Sequence, residues 1–103
     1  MLNLMIVDDE AWVCELLKGI TDWKKLGFNL ISEAYEGQEA FSLIKLHKPD
    51  VVITDIRMPG MDGISLMKHT KELGSEDNEN SVFKDDVTFK YADDDEIIKS
   101  FVD

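Results

Sequence analysis

The chain has 103 residues with 22 acidic and 11 basic side chains, so its formal net charge at pH 7 is −11. A chain of this length builds one hydrophobic core, and we expect a single domain. Nucleic acids and anionic membranes are bound through clustered Lys and Arg, so an acidic chain with no basic cluster is not expected to bind either one directly.

The first predicted strand, residues 2–7, is almost continuously apolar and runs into three consecutive acids, Asp8, Asp9 and Glu10. A run of this kind is typical of a parallel strand that is covered on both faces. Adjacent carboxylates repel one another and resist burial, so these acids are either solvated or presented to a cation.

A helix is predicted next, because apolar residues recur at helical spacing and Gly19 marks an end. Its apolar face consists of Val13, Leu16, Leu17 and Ile20. Cys14 is the only cysteine, which rules out an internal disulfide, and its apolar neighbours indicate a packing thiol. A lone thiol fits a reducing compartment and no targeting or membrane-spanning segment is visible, so the expected location is the cytoplasm.

Two further strands and a second helix complete a βαβαβ pattern. Residues 28–34 alternate apolar and polar side chains, as expected of an edge strand. A helix follows Gly37 and stops before Pro49, and the apolar run 51–53 then leads into Asp55. This order implies right-handed crossovers and an α/β fold with a doubly wound parallel sheet.

The ends of the first and third strands define a candidate site. If these strands are neighbours, Asp8, Asp9 and Asp55 converge at one edge of the sheet. Mg²⁺ suits such a cluster, since it binds a few oxygen ligands and keeps several waters. A carboxylate beside this cation can attack phosphorus and form an aspartyl phosphate, so the pattern indicates phosphoryl chemistry.

Three segments resemble the receiver domains of two-component response regulators, namely MIVDDE, SEAYEGQEA and PDVVITDIRMPGMDG. The stretch ITDWKKLGFNLISEAYEGQEA is most similar to receivers of AraC-type response regulators. The resemblance covers residues 1 to about 74. It implies the flavodoxin-like receiver fold, incomplete or altered after the third helix.

The resemblance also implies a function and a set of site residues. Asp55 is the expected phosphoacceptor, receiving its phosphoryl group from a sensor histidine kinase with Mg²⁺ as cofactor. Asp9 is expected to bind the metal directly and Asp8 partly through water, with Asp55 itself as a further ligand. The backbone carbonyl of Arg57 completes the expected set. Such a domain modifies itself and is not a turnover enzyme.

Residues 75–103 form a divergent tail beyond the 1–74 core, with ten acidic side chains and three basic ones. The tail is predicted to start with a solvated loop and to contain an edge strand at about 86–92. A short helix is predicted at about 94–102. The acids Asp93–Glu96 are expected to cap this helix and not to form a second metal site.

A complete receiver has a Ser or Thr at the end of strand four and a Lys at the end of strand five. Ser81 and Thr88 are the candidates for the hydroxyl, although neither follows a buried apolar run. Lys99 falls in the predicted helix and does not match the expected Lys. Metal binding can survive the loss of these groups, while switching depends on them.

These departures leave a second function open, that of a non-switching receiver-like module for protein–protein interaction or homodimerisation, since an uncovered sheet edge invites pairing. A hydrolase of the aspartyl-phosphate type is less favoured. It requires a general acid two residues after the nucleophile, where this chain has Arg57.

Overall fold

The computed structural model describes residues 1–76 and 87–92, so the helix predicted at 94–102 lies outside the described residues. The elements in chain order are β1 Leu2–Val7, α1 Ala11–Gly19, β2 Phe28–Ala34, α2 Gly37–His47, β3 Val51–Asp55, α3 Gly63–Glu76 and β4 Thr88–Ala92. Among the helices of this described part, none is long and apolar enough to cross a bilayer.

The four strands form one parallel sheet in the order β2-β1-β3-β4. β1 lies beside β3, with Leu4 opposite Val51 and Val7 opposite Thr54. β2 lies at an edge, and only Ala34 of this strand is fully buried. The doubly wound parallel sheet predicted from the βαβαβ pattern is therefore confirmed.

The core lies on both faces of the sheet. The cluster under α2 and α3 contains Met5, Val7, Ala34, Ala40, Ile44, Val52, Met58, Leu66 and Val87. The cluster under α1 contains Ile6, Val13, Cys14 and Leu17. Burial raises the pKa of the Cys14 thiol to about 11, as expected for a packing thiol. Leu16, one of the four residues of the predicted apolar face of this helix, is 37% exposed, so the face is not covered along its whole width.

Asp50, the residue before β3, connects three strands at the amino edge of the sheet. Its carboxylate accepts a hydrogen bond from the Asn3 N–H at 2.7 Å. Its own N–H donates to the Asn3 carbonyl at 2.9 Å, and its carbonyl accepts from the Thr88 N–H at 2.9 Å. One residue thus links β1, β3 and β4 at the edge opposite the predicted site.

The segment after the third helix departs from the prediction in one respect. α3 continues to Glu76, two residues past Gly74, where the solvated loop was expected to begin. The residues after Gly74 are Ser75 and Glu76, and both are compatible with a helix, so the polar composition did not stop it. The remainder of the predicted loop lies outside the described residues.

β4 covers most of the segment at 86–92 for which an edge strand was predicted. It pairs in parallel with β3 and brings Ala92 opposite Asp55. Thr88 lies opposite Val51, at the amino end of the pair. Thr88 is therefore at the wrong end of the strand to supply a hydroxyl beside Asp55, and Ser81 lies outside the described residues.

Candidate metal centre

The structure brings three carboxylates together at the carboxyl edge of the sheet. Asp8 and Asp9 follow β1, and Asp55 is the last residue of β3. Because these strands are adjacent, each residue offers one carboxylate oxygen to a cluster in which the oxygens lie within 4.8 Å of one another.

The three acids differ in their surroundings. Asp8 is only 2% exposed. Its N–H donates to the Ala34 carbonyl at 3.0 Å, and one carboxylate oxygen accepts from the Glu10 N–H at 2.9 Å. Asp9 is exposed and Asp55 is half-buried. Asp8 is thus held by the backbone, whereas Asp9 faces solvent.

The cluster suits a hard divalent cation. Two unit charges 4 Å apart repel by about 1 kcal/mol in water and by about 4 kcal/mol at the effective dielectric typical near a protein surface. A cation between the three carboxylates removes this repulsion. The donors are all oxygens and part of the cluster is open to water, which fits Mg²⁺ because it keeps several of its waters.

The loop after β3 is tied to Asp55 through the backbone. The Arg57 N–H donates to an Asp55 carboxylate oxygen at 3.4 Å, and the Thr54 hydroxyl donates to the Asp55 carbonyl at 3.0 Å. Met58 is 7% exposed and anchors the loop in the core. The metal-binding role of the Arg57 carbonyl stays a prediction.

Asp62 has a structural role that its motif alone did not indicate. It precedes α3 and accepts a hydrogen bond from the Ser65 N–H at 2.7 Å, which caps the helix. Hydrogen bonds from Ser65 hold the pKa of the Asp62 carboxyl below its usual value. The next residue, Gly63, packs so closely that a Cβ on it would lie 2.3 Å from the Asp55 carbonyl oxygen. The Asp-Gly pair therefore seats α3 directly against the end of β3.

Two aromatic residues lie near this edge. Trp12, in the first turn of α1, is 55% exposed and its indole N–H donates to Glu10. Tyr91 pairs with Thr54, and its hydroxyl is buried with no hydrogen-bond partner in the described part of the chain. Burial and the negative charge of Asp62 raise the pKa of this hydroxyl.

Replacing Tyr91 with Phe is expected to stabilise the protein by about 1 kcal/mol, because the variant no longer buries an unpaired hydroxyl. Urea unfolding measures the difference. Tyr35→Phe is the matched control, since the Tyr35 hydroxyl donates to Glu33 at 2.9 Å and its removal is not expected to stabilise. A lower unfolding midpoint for Tyr91→Phe than for the unchanged protein would contradict this prediction.

The chain belongs to the response regulator receiver domain family, whose sequence model matches residues 4–81. This match extends seven residues beyond the end of the resemblance at about 74. Receiver domains are signalling modules of two-component systems. In this chain the acidic cluster lies at the carboxyl edge of the sheet, where β1 and β3 end.

Known proteins of the family include transcriptional regulators. The transcriptional regulatory protein HptR of Staphylococcus aureus is 45% identical over 73 residues, which are 71% of this chain and 29% of HptR. The chain spans less than a third of the length of the curated relatives it matches.

Several solved structures match nearly the whole chain, and two of them come from named two-component systems. A two-component transcriptional regulator AraC from Clostridium phytofermentans has a TM-score of 0.65 and 28% identity over 98% of this chain and 90% of its own. The CheX–CheY complex with BeF₃ and Mg²⁺ from Borrelia burgdorferi has a TM-score of 0.64 and 30% identity, covering 95% of this chain and 84% of that one. The similarity to AraC-type response regulators is confirmed.

Proposed function

We propose that this receiver accepts a phosphoryl group from a sensor histidine kinase on Asp55, with Mg²⁺ as its cofactor. The observation that carries the proposal is the meeting of three carboxylate oxygens within 4.8 Å at the ends of two adjacent strands. Asp8, Asp9 and Asp55 would hold the cation, together with the backbone carbonyl of Arg57. Membership of the response regulator family supports a cytoplasmic location.

The residues of the site have distinct parts in this reaction. An Asp55 carboxylate oxygen attacks phosphorus, a P–O bond forms, and the P–N bond to the kinase imidazole breaks. The bound cation would neutralise the oxygens of the transferring group. The Arg57 N–H, 3.4 Å from an Asp55 oxygen, orients the carboxylate, and the buried Asp8 keeps the ligand set in place.

Similar proteins support Mg²⁺ as the cofactor and a role in signalling. The CheY complex contains Mg²⁺ together with BeF₃, and HptR is a transcriptional regulator. We infer that this chain would act through protein partners. These would be a sensor histidine kinase and a second copy of the chain in a homodimer. Direct nucleic-acid binding by these residues is not proposed, because the net charge is −11. The chain would be modified on its own Asp55 and would turn over no substrate.

A second candidate function is a receiver-like interaction module that does not switch. The register of β4 favours it, because Ala92 is opposite Asp55 and an alanine has no hydroxyl to contact a phosphoryl group. In that case the site would bind Mg²⁺ without coupling phosphorylation to a change of surface.

The proposal is tested by intact-protein mass after incubation with acetyl phosphate, in Mg²⁺ and in excess EDTA, followed by size-exclusion chromatography. A phosphate-sized gain in Mg²⁺ alone, with a shifted elution volume, supports the phosphorylated receiver. A gain with no change in elution or partner binding favours the non-switching module. No gain in either condition contradicts phosphoryl acceptance.

A further inference from the structure

Two close contacts made by glycines hold the β3–α3 loop, residues 56–62. At one end Gly63 packs on the carbonyl of Asp55, as described above. Close to that same end, Gly37 packs on Met61: a Cβ on Gly37 would lie 2.1 Å from the Met61 carbonyl oxygen, 2.7 Å from its Cβ and 2.9 Å from its carbonyl carbon. Two of these three neighbours are backbone atoms, which no change of side-chain rotamer can move away.

Gly37 is required here for space and not for conformational freedom. It is the buried first residue of α2, and it is absent from the glycines with positive φ, which are Gly27 and Gly60. Alanine is more favourable than glycine in a helix by about 1 kcal/mol. An alanine at position 37 would therefore be expected to stabilise α2 if the Met61 carbonyl were not there.

We propose that Gly37 is a positioning residue for the phosphoacceptor site. Its missing Cβ lets the first turn of α2 receive the Met61 carbonyl, and this contact holds the loop that carries Arg57 against Asp55. The inference rests on the function proposed above and extends the site to a second helix.

The main test is Gly37→Ala. The added Cβ forces Met61 and its loop to shift, and misplacement by about 1 Å in a reaction site costs up to 100-fold in rate. We expect at least a tenfold slower gain of phosphate from acetyl phosphate, normalised to the folded fraction, and a weaker Mg²⁺ midpoint measured by tryptophan fluorescence, to which Trp12 and Trp23 both contribute. Gly19→Ala is the matched control, since nothing lies within 4 Å of a Cβ at Gly19.

Stability alone does not decide between positioning and packing, so the rate and the Mg²⁺ midpoint are the readouts. A Gly37→Ala variant that is less stable but has the rate and midpoint of the original protein would overturn the inference and leave the proposed function intact. If the original protein takes up no phosphate, the proposed function fails, and the Mg²⁺ midpoints of the two variants still test the positioning role.

A measurement on the unchanged protein decides the matter if Gly37→Ala does not fold. In an ¹⁵N NMR titration with Mg²⁺, the amide resonance of Gly37 is expected to move with the same midpoint as those of Asp55 and Met61. The amide of Gly19 is expected to stay in place. A Gly37 resonance that does not respond while Asp55 does would overturn the inference.

Discussion

Replacing Asp55 with Asn is expected to abolish the gain of phosphate from acetyl phosphate. The amide keeps the shape of the side chain and an oxygen that can accept from the Arg57 N–H, but it is not a nucleophile towards phosphorus. The substitution also removes one of the three carboxylates proposed to hold Mg²⁺, so the rate is compared at Mg²⁺ concentrations that saturate each protein. Intact-protein mass over a time course in Mg²⁺ measures the effect.

The control for Asp55→Asn is Asp22→Asn, which removes one negative charge from an exposed turn at the opposite edge of the sheet. This variant is expected to gain phosphate at the unchanged rate. Phosphate gain by Asp55→Asn at the original rate would show that another group is the acceptor, with Asp9 the first to examine because of its exposure. If the protein is instead a non-switching module, Asp55→Asn leaves partner binding and self-association unchanged.

Replacing Asp9 with Asn is expected to have two effects of opposite sign. Without Mg²⁺ the variant should be more stable by about 1 kcal/mol, because it removes one of three carboxylates whose oxygens lie within 4.8 Å of one another. For a domain of this size that difference corresponds to a melting temperature higher by about 4–8 °C. With Mg²⁺ the order reverses, since the original protein gains stability from binding the cation.

The loss of Mg²⁺ affinity in Asp9→Asn is expected to be at least about tenfold, because even groups behind the direct ligands are typically worth that much. Thermal unfolding at a series of Mg²⁺ concentrations gives both effects in one experiment. Asp22→Asn serves again as the charge-matched control and should keep the full Mg²⁺ response. Equal stabilisation of Asp9→Asn and the original protein by Mg²⁺ would mean that Asp9 is not a ligand, and no stabilisation of either would mean that the cluster holds no cation.

The parts of this domain that could be predicted are those determined by local pattern. β1 and β3 were visible as apolar runs, and acids at the ends of neighbouring parallel strands meet at one edge. The convergence of Asp8, Asp9 and Asp55 was predicted on the condition that β1 and β3 are neighbours, and the strand order of the structure supplies that condition. β2 was also visible, since its alternating side chains match an edge position.

The features that escaped prediction depend on contacts distant in sequence. The close approach of Gly37 to Met61 joins residues 24 positions apart, and no local pattern records it. The exposure of Leu16 has the same origin, because helical spacing defines a stripe and the neighbouring elements decide how much of it is covered. Thr88 was misplaced because strand register is set by pairing with β3, which single-strand patterns do not specify.

The hydrogen bonds of Asp50 are expected to make the amino edge of the sheet more rigid than the carboxyl edge. At the amino edge, Asp50 makes one hydrogen bond through its carboxylate and two through its backbone. These bonds connect β1, β3 and β4 and restrain this end of the sheet. At the carboxyl edge lie the three clustered carboxylates, and the loop 56–62 packs there against Gly37 and Gly63. We therefore expect phosphorylation of Asp55 to move the loop 56–62 and the first turns of α2 and α3 more than the amino edge of the sheet. In this arrangement the amino edge is the fixed end of the sheet, and the carboxyl edge is the end expected to move.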